Sequence, residues 1–250
     1  MLRSLVGSEM CIRDRGNIID DIRANEDTFA DRPFNEVDSL ALAQLSYARM
    51  PVNVPRLDAE ATDVDLAMVG VRDLLRAECY DDMFGKVWSP SMNVDLLRAM
   101  CESPRWRDLR VGGYVDEFDP ETTKQFSACV FDVGDGSSYV AFRGTDSTIV
   151  GWKEDFAMAF RRPVAAQESA ARYLADIAGL RDGPLMVGGH SKGGNLAVYA
   201  AANAPAAVQE RLIAVFCHDG PGFDADFFDT PGYAPVSYTH LRAHETPEHL

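Results

Sequence analysis

Apolar residues recur along this chain with two different periods. From Asn35 to Tyr47, the residues Val37, Leu40, Leu42, Leu45 and Tyr47 fall at helical spacing, and Asn35 or Asp38 caps the helix they predict. Thr62 to Tyr80 repeats the pattern through Val64, Ala67, Met68, Val71, Leu74 and Leu75, which predicts a second helix; Asp95 to Glu102 predicts a short third. No strand pattern precedes Phe126. Then Phe126–Val133 and Ser138–Phe142 form two apolar runs separated by Gly134-Asp135-Gly136, the signature of a β-hairpin. Gln167–Leu180 reads as a helix, Leu185–Gly189 as a short buried strand, Asn195–Ala202 as an alanine-rich helix, and Leu212–Cys217 as another short strand.

Strands that alternate with helices predict an α/β fold: a mainly parallel sheet with helices on both faces and an antiparallel hairpin at one side. The helices read before Phe126 are expected to form an N-terminal layer against that sheet.

Composition narrows the function classes. The chain has 250 residues, 46% hydrophobic and 25% charged, which suits one domain with a sizeable core. No apolar run approaches the roughly 20 residues needed to span a bilayer, and charged residues interrupt Met1–Arg15 before a signal-peptide core forms. The expected location is cytoplasmic. A net charge of −15 repels polyanions, so no nucleic-acid partner is expected. The five cysteines (Cys11, Cys79, Cys101, Cys129 and Cys217) show no paired or zinc-finger spacing and read as free, mostly buried thiols. No metal or organic cofactor is implied.

The two ends differ from the middle. MLRSLVGSEMCIRDR and VSYTHLRAHETPEHL carry neither period, and both resemble translated sequencing-adapter read-through. The expected organisation is therefore residues 1–15 and 236–250 as artefact flanking an α/β domain over residues 16–235 that lacks its C-terminal part. His240, His244 and His249 lie in the second of these ends and carry little weight as bases.

The chemistry concentrates at Gly189-His190-Ser191-Lys192-Gly193, a G-x-S-x-G pattern set between a strand and a helix. There a serine sits on a sharp turn whose backbone is unfavourable for a residue with a side chain. Gly189 and Gly193 remove the Cβ atoms that would clash, and Gly188 and Gly194 extend that relief. The bland alternative is a glycine-rich turn that only packs. With Ser191 as nucleophile, the N–H of Lys192, the residue after it, supplies one oxyanion donor. The second comes from Val140-Ala141-Phe142-Arg143-Gly144-Thr145-Asp146 at the end of an earlier strand, where Thr145 is the candidate. Arg143 and Asp146 read as a salt bridge or cap that stiffens this loop, and Trp152 and Asp155 as anchors behind it. His190 reads as packing under the turn and His218 as a structural hydrogen-bonder. Asp219, Asp224, Asp226 and Asp229 are the acids near the sheet top that follow the serine in chain order.

FRGTDSTIVGWKEDFAMAF together with GGHSKGGNLAVYAA resembles the Mbeg-like family of bacterial α/β-hydrolases, distant relatives of the class 3 lipases. Phe34–Tyr47 and His218–Phe223 resemble it too. The resemblance implies an α/β-hydrolase fold, Ser191 as nucleophile, Thr145 as oxyanion residue, and a later turn at Gly220-Pro221-Gly222. The acid and histidine of those lipases have no matching positions in this chain. The function implied is a lipase- or esterase-type serine hydrolase acting on a small acyl ester, thioester or lipid-like substrate. The alternatives are a catalytically dead binding module of the same shape and a serine-dependent transacylase.

Overall fold

The computed structural model describes residues 17–58, 66–145, 158, 163–239 and 241–244. It opens with helices α1 (Ile18–Ala24) and α2 (Glu36–Leu45). Asn35 is the N-cap of α2. Its side chain accepts from Val37 N (2.8 Å) and Asp38 N (3.3 Å), while the Asp38 carboxylate accepts from Asn35 N (2.9 Å). Both candidate capping residues therefore act together, one at each end of a capping box.

The expected helix over Thr62–Tyr80 is corrected. Residues 62–65 lie outside the described chain; beyond them Met68–Gly70 is strand β1, followed by two 3₁₀ turns (Val71–Leu74 and Ala77–Cys79) and helix α3 (Tyr80–Phe84). Main-chain pairing with the neighbouring strand wins over the helical period, and the Asp73 carboxylate takes the Gly70 N–H (3.0 Å) to turn the chain. Helix α4 covers Pro90–Glu102, a turn longer at its N-terminus than its apolar pattern, because Pro90 at its start fixes a helical φ.

Strand β2 (Arg110–Asp119) also escapes the pattern. Gly112 and Gly113 interrupt its apolar run, and both are required. A Cβ on Gly112 would lie 2.3 Å from the Ala67 carbonyl oxygen, and Gly113 has φ +59° where the register shifts against the next strand. Strands β3 (Lys124–Asp132) and β4 (Ser138–Phe142) form the expected hairpin. After them come α5 (Ala165–Leu180), β5 (Leu185–His190), α6 (Lys192–Asn203), α7 (Ala206–Gln209), β6 (Leu212–His218), α8 (Ala225–Phe228), α9 (Tyr233–Thr239) and β7 (Leu241–His244).

The strands lie in one sheet in sequence order, β1 to β7. Neighbours from β1 to β4 are antiparallel and those from β4 to β7 parallel. The sheet is thus mixed, half and half, rather than mainly parallel; of the three strands absent from the sequence pattern, β1 and β2 lie on the antiparallel side, and β7, within the end set aside as artefact, pairs parallel with β6.

This order explains the layers. Crossovers of one hand that step always to the same side put their helices on one face. There Leu174, Ile177, Leu196 and Ala200 bury against Val130, Val140, Val187 and Val215, and Phe227 and Val236 close the end. Among the described residues the other face receives no crossover helix, and the N-terminal layer covers it: Leu42, Leu45, Leu97 and Met100 pack on Phe131, Tyr139 and Phe216.

Arg105 fastens that layer. Its guanidinium donates to both Asp38 carboxylate oxygens (Nε 2.9 Å, Nη2 2.5 Å), to the carbonyls of Asp27, Thr28 and Arg32, and lies over the Phe29 ring. Both side chains are fully buried. Among the described cysteines, all free, only Cys129 is buried; Cys79, Cys101 and Cys217 are half-buried. No helix among the described residues is long and apolar enough to cross a membrane.

Candidate active site

The C-terminal ends of the parallel strands form one rim, and the G-x-S-x-G segment sits at its centre. Ser191 has φ 54° and ψ −127°, between the last residue of β5 and the first of α6. An L-residue holds such a backbone only under strain of about 1–3 kcal/mol, and the surroundings must enforce it. Three contacts do so. Ser191 N–H donates to the His218 carbonyl on β6 (2.8 Å), and its own carbonyl accepts from Gly194 N (2.9 Å) and Asn195 N (3.4 Å) in the first turn of α6.

At Gly189 and Gly193 a Cβ has no room. A Cβ on Gly193 would stand 2.1 Å from the Phe142 carbonyl oxygen; one on Gly189 would stand 2.4 Å from Gly193 C and 2.5 Å from the same oxygen. The last residue of β4 is therefore the pivot on which the turn rests. Gly188 is different: it faces away from Ser191, and a Cβ there would meet the Tyr139 hydroxyl at 2.5 Å.

Lys192 begins α6, with its backbone N–H in the turn whose positive dipole end faces the rim. Its side chain has a role that the sequence did not reveal. Nζ is buried beneath the turn and donates to the Gln125 carbonyl on β3 (2.7 Å), clamping the start of α6 to the hairpin.

The second candidate loop leaves β4 beside this turn, because Phe142 is in register with Gly189. Arg143 N–H donates to the Ser127 carbonyl (3.0 Å), and Nη2 donates to Asp116 Oδ1 (2.9 Å) in a nearly buried ion pair. Arg143 is thus tied to β2 and β3. Gly144 is wedged between the His190 carbonyl and the Tyr47 hydroxyl. Thr145 follows, half-buried. Asp146, Trp152 and Asp155 lie outside the described residues.

Two histidines of the rim, His190 and His218, face the N-terminal layer; His244, in register with His218, ends β7 on the same rim. His190 Nδ1 is bonded to the Tyr47 hydroxyl (2.9 Å), and burial pushes its pKa below the usual histidine value against the opposing charge of Asp219. His218 stacks on Phe216 and joins its Nε2 to Ser39 Oγ (2.8 Å), which in turn meets the Tyr139 hydroxyl (2.9 Å). Gly188 leaves the space that this cluster fills. A buried chain of this kind is costly to leave half-satisfied. Ser39→Ala should cost about 1–3 kcal/mol, read as a lower urea midpoint at unchanged slope.

Of the acids, Asp219 follows β6 directly and has φ 52°, so two strained non-glycine residues end neighbouring strands. Asp224 caps α8 through Phe227 N (3.3 Å), and Asp226 and Asp229 are exposed beyond it. Two buried polar residues were missed in the sequence. Asn195 donates to the Pro221 carbonyl (2.9 Å) and accepts from Gln167 (2.8 Å), tying α5, α6 and the Gly220-Pro221-Gly222 turn together. Their one signal was a polar residue on the apolar face of an alanine-rich helix. Among the described residues no group of three His, Cys, Asp or Glu is placed to hold a metal ion.

Compared with known proteins, a family model described as Mbeg1-like matches residues 100–244, more than half of the chain. No curated protein and no solved structure gives a significant match.

Proposed function

The chain belongs to the Mbeg1-like family, and from that premise we propose that it is a lipase- or esterase-like serine hydrolase built on an α/β-hydrolase fold, cleaving a carboxylic ester or thioester. The observation that carries this reading is the strained turn at Ser191, raised between β5 and α6 with no room for a Cβ at Gly189 or Gly193. Strain of this kind is retained where it presents a side chain for chemistry.

In the proposed reaction Ser191 Oγ bonds to the substrate carbonyl carbon and passes its proton to a base. The carbonyl oxygen becomes an oxyanion, which receives the N–H groups of Lys192 and Thr145. The alcohol or thiol leaves with a proton, and water then releases the acid from the acyl-enzyme. His190 and His218 are engaged with Tyr47 and Ser39, so neither is assigned as the base. That engagement favours, as a second reading, a ligand-binding module of the same shape.

A fluorophosphonate probe tests the assignment. The protein should take up one label, and Ser191→Ala should take up none while keeping its melting temperature. An unlabelled wild type would favour the binding module.

A further inference from the structure

The segment Tyr47–Arg49, just after α2, lies before the stretch that the family match covers. It holds both residues that precede Thr145. The Tyr47 hydroxyl is bonded to His190 Nδ1 (2.9 Å) and stands 2.0 Å from where a Cβ on Gly144 would be. Two residues on, Arg49 Nε pairs with Asp116 Oδ2 (3.4 Å), while the other oxygen of that carboxylate holds Arg143 (2.9 Å). Arg143 is thus fixed through Asp116, and the Tyr47 hydroxyl and the His190 carbonyl fill the space beside Gly144 where a Cβ would stand.

We infer that Tyr47 is a positioning residue of the active site, setting where the Thr145 loop stands relative to Ser191. The inference rests on the serine-hydrolase reading above. Three points carry it. The hydroxyl touches both halves of the site, the residue before the nucleophile and the loop from β4. Gly144 is required because that hydroxyl occupies the space a Cβ would need, so the loop cannot move toward α2 without displacing Tyr47. The grip comes from an element packed on the opposite face of the sheet from α6, so it acts independently of the helix that carries the serine. A loop freed from it would present its N–H at the wrong distance. An oxyanion donor acts only within a few tenths of an ångström of its place.

Tyr47→Phe removes the hydroxyl and keeps the ring. The rate of inactivation by a fluorophosphonate at saturation should fall about ten- to a hundredfold, with the probe's half-saturation concentration unchanged. Tyr47→Phe should melt within a few degrees of wild type, and Gln44→Ala, one turn back on α2, should label at the wild-type rate. Equal reactivity of Tyr47→Phe and wild type would overturn the inference and leave the hydrolase reading standing. So would a loss of labelling that only follows a loss of folded protein. A wild type that takes no label overturns the hydrolase reading, and this inference with it.

Discussion

Arg105→Met is expected to destabilise the protein by about 3–5 kcal/mol, the cost of leaving one partner of a buried ion pair alone. Its partner Asp38 is just as buried and would keep a charge with nothing opposite it. The same change releases the carbonyls of Asp27, Thr28 and Arg32 and removes the cation over Phe29. Against a total stability of about 5–15 kcal/mol, that takes about a fifth or more of what holds the fold. Chemical denaturation of the variant measures it. Arg105→Lys should recover little, since a single ammonium cannot hold two carboxylate oxygens and three carbonyls at once. Asp38→Leu in the Arg105→Met background should recover part of the loss, because the uncompensated charge disappears. The remainder is the three released carbonyls, the cation lost from Phe29 and the capping bond that Asn35 N–H donates to Asp38, the last worth about 1 kcal/mol. A midpoint within 0.5 M urea of wild type for Arg105→Met would mean that the pair contributes nothing; that threshold corresponds to about 1 kcal/mol at ordinary slopes.

Arg105 also shows where sequence reading stops. Local devices were legible: the Asn35 cap, the glycine turn between β3 and β4, and the strand–serine–helix order at Ser191. Each involves residues within a few positions, and the structure keeps them. The pairing of Asp38 with Arg105 spans 67 positions and leaves no trace in either neighbourhood. β1 and β2 were lost for a related reason. A three-residue strand has no period of its own, and the glycines of β2 are present for a close approach that only the folded sheet creates. Missing those two strands made the sheet look mainly parallel.

At the candidate site the backbone parts were readable and the supports were not. G-x-S-x-G is legible as a short pattern, although the atom that demands both of its glycines is the Phe142 carbonyl oxygen on another strand. Lys192 was named for its N–H, and its side chain turned out to reach β3. Tyr47 was read as the last apolar position of a helix, which is how an amphipathic ring with a polar tip looks in one dimension. The partner of His190 is Tyr47, 143 positions away, and nothing near His190 in the sequence points to it.

Gly193→Ala carries the largest expected effect at the site. The added methyl would sit 2.1 Å from the Phe142 carbonyl oxygen and 3.1 Å from Arg143 C. Neither is a flexible side-chain end, so α6 or β4 must move. Overpacking of a core ordinarily costs about 1–3 kcal/mol; here the displacement falls on the two backbones that carry Ser191 and Thr145. Any folded fraction should therefore have lost phosphonate labelling even where it keeps its helical circular dichroism. Gly179→Ala is the matched control. It lies near the end of α5 with nothing within 4 Å of the new methyl, and the exchange should stabilise the protein by about 0.5–1 kcal/mol. The same chemical change is then expected to have opposite signs at two helical positions, and the reason is the carbonyl of Phe142. A Gly193→Ala protein that melts with wild type and labels at the wild-type rate would show that the turn can relax. The strain at Ser191 would then not be enforced by its surroundings, and the case for a built nucleophile would fail.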